Sequence, residues 1–261
     1  MDGSRINISG NVQQPLVSII IATYNAAEDL SACLKSIKDL SVKDIEIVIV
    51  DGGSNDNTLD ILRDLNLQQV KWVSEPDNGI YDALNKGVDL SDGRWLHFLG
   101  ADDRLLPGFK KLLGALSDEH TVYYGNSLPA DKLLQGAFSK YRLAKYCMNH
   151  QSILYPARVF DRYRYNLRYQ VFADYALNMQ VWGDPLFKTR HLDIPVVMYN
   201  LNGFSSAAID RAFLIDRNRL VRKHLGFVVY IRYLLKKYKA RKTPGGIDPG
   251  FIPPDEKEKK S

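Results

Sequence analysis

Apolar residues follow two alternating patterns through the first half of the chain. Short unbroken runs, Val17 to Ala22, Ile45 to Val50, Val70 to Val73 and Trp95 to Leu99, are rich in β-branched and aromatic residues. The first two close on turn-prone residues, Tyr24-Asn25 and Asp51-Gly52-Gly53, and all are the pattern of buried strands. Between them, Leu30, Leu34, Ile37 and Leu40 recur at helical spacing, and Thr58 to Leu65 and Ile80 to Val88 continue the alternation. Strand alternating with helix predicts a mostly parallel, Rossmann-like α/β sheet flanked by helices, with ligands at the carboxyl ends of the strands.

Beyond Pro107 the pattern thins: Phe109 to Leu116 reads as a helix, Thr121 to Tyr124 and Ser152 to Tyr155 as strands, and Asp174 to Trp182 as a helix. These boundaries give one α/β domain over residues 15–224, divided at 106/107 into two halves. It follows a flexible polar stretch at 1–14. Residues 225–243 combine Phe227, Ile231, Leu234, Leu235 and Tyr238 with Arg232, Lys236, Lys237, Lys239, Arg241 and Lys242. That is an amphipathic basic helix, suited either to an anionic membrane surface or to packing on the domain with its charges in water. The proline-bearing, charged stretch 244–261 reads as a disordered tail.

Charge and cysteine content narrow the function classes. A net charge of +5 from 35 Lys and Arg against 30 Asp and Glu is too small to identify a nucleic-acid partner without a clustered patch. Two distant cysteines, Cys33 and Cys147, form no disulfide framework or CxxC metal site. A polar N-terminus and the absence of eighteen consecutive apolar residues predict a cytoplasmic protein without a spanning helix. No G-x-G-x-x-G follows the first strand, which argues against a dinucleotide-dependent oxidoreductase, and no P-loop is present.

Candidate chemistry gathers at the strand ends: Asp51 after the second run, Asp82 opening the helix after the third, and Asp102-Asp103 after the fourth. Asp56, three residues before Leu59, suits a helix cap. Adjacent carboxylates such as Asp102 and Asp103 repel unless a cation or donor lies between them. Hard oxygens of this kind suit Mg²⁺ or Mn²⁺ shared with a substrate diphosphate.

Four segments in order, Pro15 to Asn25, Ile47 to Thr58, Asp77 to Gly87 and Phe98 to Asp103, resemble the family 2 glycosyltransferases of bacterial polysaccharide biosynthesis. The resemblance extends to about Ser206. It implies the GT-A fold, a nucleotide diphosphate sugar donor, a divalent metal and inverting transfer to an acceptor hydroxyl. By the same resemblance Thr23 and Tyr24 line the nucleoside pocket, Glu28 and Asp51 hydrogen-bond the nucleoside, and Asp82 touches ribose, sugar or diphosphate. Asp102 ligates the metal and Asp103 contacts sugar or metal-bound water, although Gly100 occupies the first acidic position of the family's Asp-x-Asp motif. Phe172-Ala173-Asp174-Tyr175 resembles the family's Glu-Asp element, leaving Asp174 as the general base, with helix capping as its alternative role. His150 lies in a segment placed beside the acceptor, and Asn202 to Ser206 in a loop near the donor.

The absence of a Gln-x-x-Arg-Trp element and of spanning helices points to one sugar per encounter. An Asp acceptor at position 51 suits a uracil N–H, hence a UDP-sugar. The basic helix suits a lipid-linked glycan acceptor, with peripheral contact at the inner face of an anionic membrane. Gly100 and Ala173 at acidic family positions leave one rival, a module that binds nucleotide sugar without turning it over.

Overall fold

The unbroken apolar runs form one half of an eight-stranded sheet in the computed structural model, which describes residues 14–65, 69–129, 136–200 and 209–242. Its strands are β1 (Val17–Thr23), β2 (Ile45–Asp51), β3 (Val70–Ser74), β4 (Trp95–Gly100), β5 (Arg104–Leu105), β6 (Thr121–Leu128), β7 (Ile153–Pro156) and β8 (Lys188–Met198). They lie in the order β3-β2-β1-β4-β7-β6-β8-β5. β1 runs parallel to β2 and β4, β2 to β3, and β6 to β8, while β7 is antiparallel to β4 and β6, and β5 to β8.

Both faces of the central strands are covered, which is why they do not alternate with polar residues. Ile20, Val48 and Phe98 face one core, and Ile19, Ile21, Ile47, Ile49 and Leu99 the other. Helices α1 (Leu30–Asp39), α2 (Thr58–Asp64) and α4 (Pro107–Leu113) contribute to the second core. Helices α3 (Ile80–Asp89), α5 (Lys140–Lys145), α6 (Ala173–Gly183), α7 (Arg211–Leu220) and α8 (Phe227–Lys242) contribute to the first. α3 approaches β1 so closely that a Cβ at Gly87 would lie 2.3 Å from Ile20 Cγ2. Only glycine, with no Cβ, allows that approach without displacing Ile20.

Three elements of the second half have no counterpart in the sequence reading: α5, α7 and β8. In β8 the apolar residues are diluted by charge, and Pro195 falls where the pairing with β6 shifts register, at Asn126. An irregularity of this kind accommodates a proline that a regular inner strand would not.

The basic C-terminal helix forms as α8 and packs into the first core. Tyr233 is fully buried, with the Arg217 guanidinium 5.4 Å from its ring centroid. The outward face still carries Phe227, Val228, Ile231, Leu235 and Tyr238, all exposed. Among the described residues no helix is long and apolar enough to cross a membrane. The N-terminal stretch 1–13, the Asn202 to Ser206 motif and the tail from 243 lie outside the described residues.

Candidate active site

Parallel pairing sets Thr23 opposite Asp51 and Ala22 opposite Gly100, so the ends of β1, β2 and β4 meet at one edge. Asp51 is fully buried there. Its Oδ1 accepts from Thr23 Oγ1 at 3.1 Å and from Ser54 Oγ. Its Oδ2 accepts from the N–H groups of Gly53 (3.1 Å) and Ser54 (2.9 Å) and from Ser74 Oγ (2.7 Å). Burial pushes this carboxyl up, but the bonds from Ser54, Ser74 and Thr23 outweigh it and hold the group below its usual range. With five donors on its two oxygens, Asp51 fastens the loop after β2 to the ends of β1 and β3.

The loop after β1 is stitched to the loop after β2. Asn25 N–H donates to Ser54 Oγ (2.8 Å), Asn55 N–H to Asn25 Oδ1 (2.9 Å), and Ala26 N–H to Thr58 Oγ1 (2.8 Å). Asp56 accepts from Thr58 N–H (2.9 Å) and Ala27 N–H (3.1 Å), combining the expected cap with a tie between loops. Asn25 sits at φ 50°, a left-handed conformation that asparagine tolerates. This frame leaves the Tyr24 side chain 65% exposed and Glu28 exposed on the same loop.

In the first turn of α3, Asp82 Oδ2 accepts from Asn78 N–H (3.0 Å) and Nδ2 (3.1 Å). Lys86 is 3.9 Å from Asp82 but 2.8 Å from Glu75, and it donates to Pro76 O at 3.0 Å. Asn85 bridges the two halves: its Nδ2 donates to Tyr165 O (2.9 Å) and its Oδ1 accepts Tyr165 N–H (3.0 Å).

After β4 the acidic pair divides into unlike members. Asp103 is buried, accepting from Asn200 N–H (2.9 Å), from Gly100 N–H (3.2 Å) and from the Gln151 side chain. Burial, reinforced by the Asp102 charge, pushes its pKa to about 6. Asp102 is half-buried. A Cβ at Gly100 would lie 2.5 Å from Asp103 Oδ2 and 2.9 Å from Asp102 Oδ1. An acid at this position of the motif would thus have to displace both carboxylates.

Asp174 lies in the first turn of α6 and is buried. Tyr81 Oη is 2.9 Å from its Oδ1 and 2.6 Å from Val171 O. His150 Nδ1 is 3.6 Å from Oδ2, and Cys147 Sγ is 3.9 Å from the same oxygen. Burial pushes Asp174 up and His150 down. Asp210 Oδ2 takes the N–H groups of Val171 (3.0 Å) and Phe172 (3.1 Å) ahead of α6, while those of Asp174 and Tyr175 in the first turn act on the Asp174 carboxyl itself. Because Gln151 reaches Asp103 while the adjacent His150 reaches Asp174, the acidic pair and Asp174 line one site.

Comparison with known proteins decides the family, since the Glycosyl transferase family 2 model matches residues 18–175. The chain belongs to that family. The PGL/p-HBAD biosynthesis glycosyltransferase of Mycobacterium bovis (strain BCG / Pasteur 1173P2) is 40% identical over 212 residues, covering 77% of this chain and 83% of the relative. The chondroitin synthase of Pasteurella multocida (strain Pm70) is 39% identical over 95 residues, 36% of this chain and 10% of that one. Among solved structures, S. aureus TarS 1-349 in complex with UDP-GlcNAc superposes with a TM-score of 0.66 at 15% identity, covering 86% of this chain and 72% of that one. The mannosyltransferase PcManGT from Pyrobaculum calidifontis, in complex with GDP-Man and Mn2+, gives 0.62 at 17% identity, covering 91% and 68%. These likenesses establish the GT-A fold.

In this family 2 glycosyltransferase the cation expected at Asp102 has a chemically suitable but sparse donor set. Among the described residues no three or more His, Cys, Asp or Glu are arranged so as to hold a metal ion by themselves. Mg²⁺ takes one or two protein carboxylates and completes its shell with phosphate oxygens and water, so Asp102 beside Asp103 fits such an ion when a diphosphate is bound. Tyr81 lies in the Asp77 to Gly87 segment and Gln151 next to His150, but neither they nor Cys147 carried a site role in the sequence, and only the fold brings the three of them to Asp174 and Asp103.

Proposed function

We propose that this glycosyltransferase moves a single sugar from a uridine diphosphate donor to an acceptor hydroxyl with inversion, Asp174 receiving the acceptor's proton. The observation that carries the reading is the position of Asp174, a buried carboxyl in the same site as the acidic pair. A base with a raised pKa, held next to a diphosphate site, is matched to removing a hydroxyl proton as the oxygen attacks.

Thr23 and the exposed ring of Tyr24 form the nucleoside end of the cleft, with Glu28 beside them. Asp51 contributes by holding Thr23, Ser54 and Ser74 in place. The uridine preference is supported by the likeness to TarS in complex with UDP-GlcNAc, with Asp51 as the acceptor for the uracil N–H. Asp82 is oriented by Asn78 toward ribose or diphosphate. Asp102 would hold Mg²⁺ or Mn²⁺, with Asp103 directed at sugar or metal-bound water. A cation there supplies positive charge opposite the departing nucleoside diphosphate.

The acceptor is a lipid-linked glycan, met at an anionic membrane surface where His150 lines the acceptor side. Support comes from α8, whose exposed Val228, Ile231, Leu235 and Tyr238 recur at helical spacing. Beside them Arg142 and Lys145 of α5 crowd Arg232 and Lys236 of α8, and burial together with this like charge holds Lys145 below the usual lysine range.

Thermal stabilisation by a panel of nucleotide sugars with Mg²⁺ or Mn²⁺ tests the donor, because a ligand at about 100 times its Kd adds roughly 2.7 kcal/mol. UDP-sugars are expected to raise the melting temperature. A shift with guanosine or cytidine donors alone would remove the uridine assignment, and binding without donor consumption in the presence of acceptor would leave a non-catalytic module.

A further inference from the structure

Tyr81 makes two oxygen contacts with one hydroxyl proton. The shorter, 2.6 Å, is to Val171 O, a backbone carbonyl that can only accept. The proton therefore lies on that line, and burial keeps it on Tyr81 by pushing the phenol well above its usual pKa. The second contact, 2.9 Å to Asp174 Oδ1, then needs its proton from the carboxyl.

Burial works against a charge on Asp174 more strongly than its neighbours work for one. His150 and Cys147 approach from the segment between α5 and β7, Tyr155 from β7 and Tyr165 from the segment before α6. The His150 Nδ1 is buried without a hydrogen-bond partner. Cys147 is a weak donor at 3.9 Å. Arg217 directs its NH2 to the carbonyls of Ala144 and Lys145 and to Tyr175 Oη. A charge on His150, a donating Tyr81 hydroxyl and the N–H groups of Asp174 and Tyr175 at the start of α6 each act for the charged form, and the desolvation of a buried carboxylate, the largest effect, outweighs them.

We infer that Asp174 rests protonated in the ligand-free protein, donating to Tyr81, which is a positioning residue that keeps the base neutral until substrates arrive. This rests on the reading of Asp174 as the base and adds the form in which the base waits. His150 Nδ1, 3.6 Å from Oδ2, is the group to take the proton. The carboxyl O–H breaks, an imidazolium N–H forms, and the negative diphosphate of the donor stabilises that cation. The freed carboxylate takes the acceptor's proton as the glycosidic bond forms. His150 then returns one proton to solvent, which equals the single proton that transfer releases.

Infrared difference spectra of the ligand-free wild type across pH, with Asp174→Asn to assign the band, test the resting state without any need for turnover. A protonated carboxyl band belonging to Asp174 at neutral pH is expected, and its absence overturns the inference. Tyr81→Phe gives the second arm through the acidic limb of the kcat/KM profile. Losing an acceptor to the neutral carboxyl moves that limb to lower pH, by roughly half to one unit. A limb that moves upward, as loss of a donor to a carboxylate requires, or that does not move, overturns the role of Tyr81. Should Asp174→Asn transfer sugar at the wild-type rate, the base reading fails while the infrared band still decides the protonation.

Discussion

His150 Nδ1 stands 3.6 Å from Asp174 Oδ2 inside a site where burial holds the imidazole below its usual pKa and the carboxyl above it. Each shift favours the uncharged form of its group. A second histidine, His97 on β4, is more extreme: its Nδ1 contacts Ile153 O at 3.0 Å, and burial takes it to about 4.

The His97 shift predicts a pH dependence of stability. Between pH about 4 and about 6.5 the folded chain binds fewer protons at this ring than the unfolded chain, so stability is lost as pH falls across that window. The full contribution is on the order of 3 kcal/mol. Melting temperatures of the wild type and His97→Gln from pH 7 to pH 4 should converge toward the acid end. Parallel curves would show that His97 is not the group responsible.

Gly100 predicts that restoring an acid to the motif is harmful. Gly100→Ala places a Cβ against Asp103 and Asp102, and overpacking of this kind costs about 1–3 kcal/mol. Gly100→Asp adds a like charge and should be worse in both melting temperature and transfer. Asp102→Asn, by contrast, should keep its melting temperature and lose most divalent-dependent transfer. Full wild-type activity in the presence of chelator would contradict the role given to Asp102.

α8 predicts two separable effects. Tyr233→Ala removes a fully buried ring from the core and should cost about 3–5 kcal/mol, and cutting the chain after Gly226 should prevent folding. Ile231→Glu and Leu235→Glu change exposed positions, so stability should move by no more than about 0.5 kcal/mol while sedimentation with anionic liposomes is lost. Undiminished liposome binding by that double variant would leave α8 a packing helix only.

Particular residues show what was legible in the sequence. β1, β2 and β4 were plain because a sheet buried on both faces leaves unbroken runs such as Val17 to Ala22. Asp51 was legible as a strand-end acid, but nothing along the chain told that Thr23, Ser54 and Ser74 would donate to its oxygens. Tyr81 and Asp174 are 93 positions apart, and a contact at that range has no periodic trace. β8 was hidden because Pro195 and its charged neighbours suit an irregular strand that pairing with β6 and β5 stabilises.

Transfer by Asp174→Asn, measured with donor affinity and melting temperature on one preparation, tests the central claim most directly. Asn keeps the shape of the side chain and retains an N–H to donate to Tyr81, and Asp210, not Asp174, takes the N–H groups ahead of α6. Donor affinity and melting temperature should therefore stay close to wild type while transfer falls by roughly 10²-fold or more, the loss expected for a general base. Transfer near the wild-type rate by a folded, donor-binding Asp174→Asn protein would contradict the account and send the search for the base to another carboxylate.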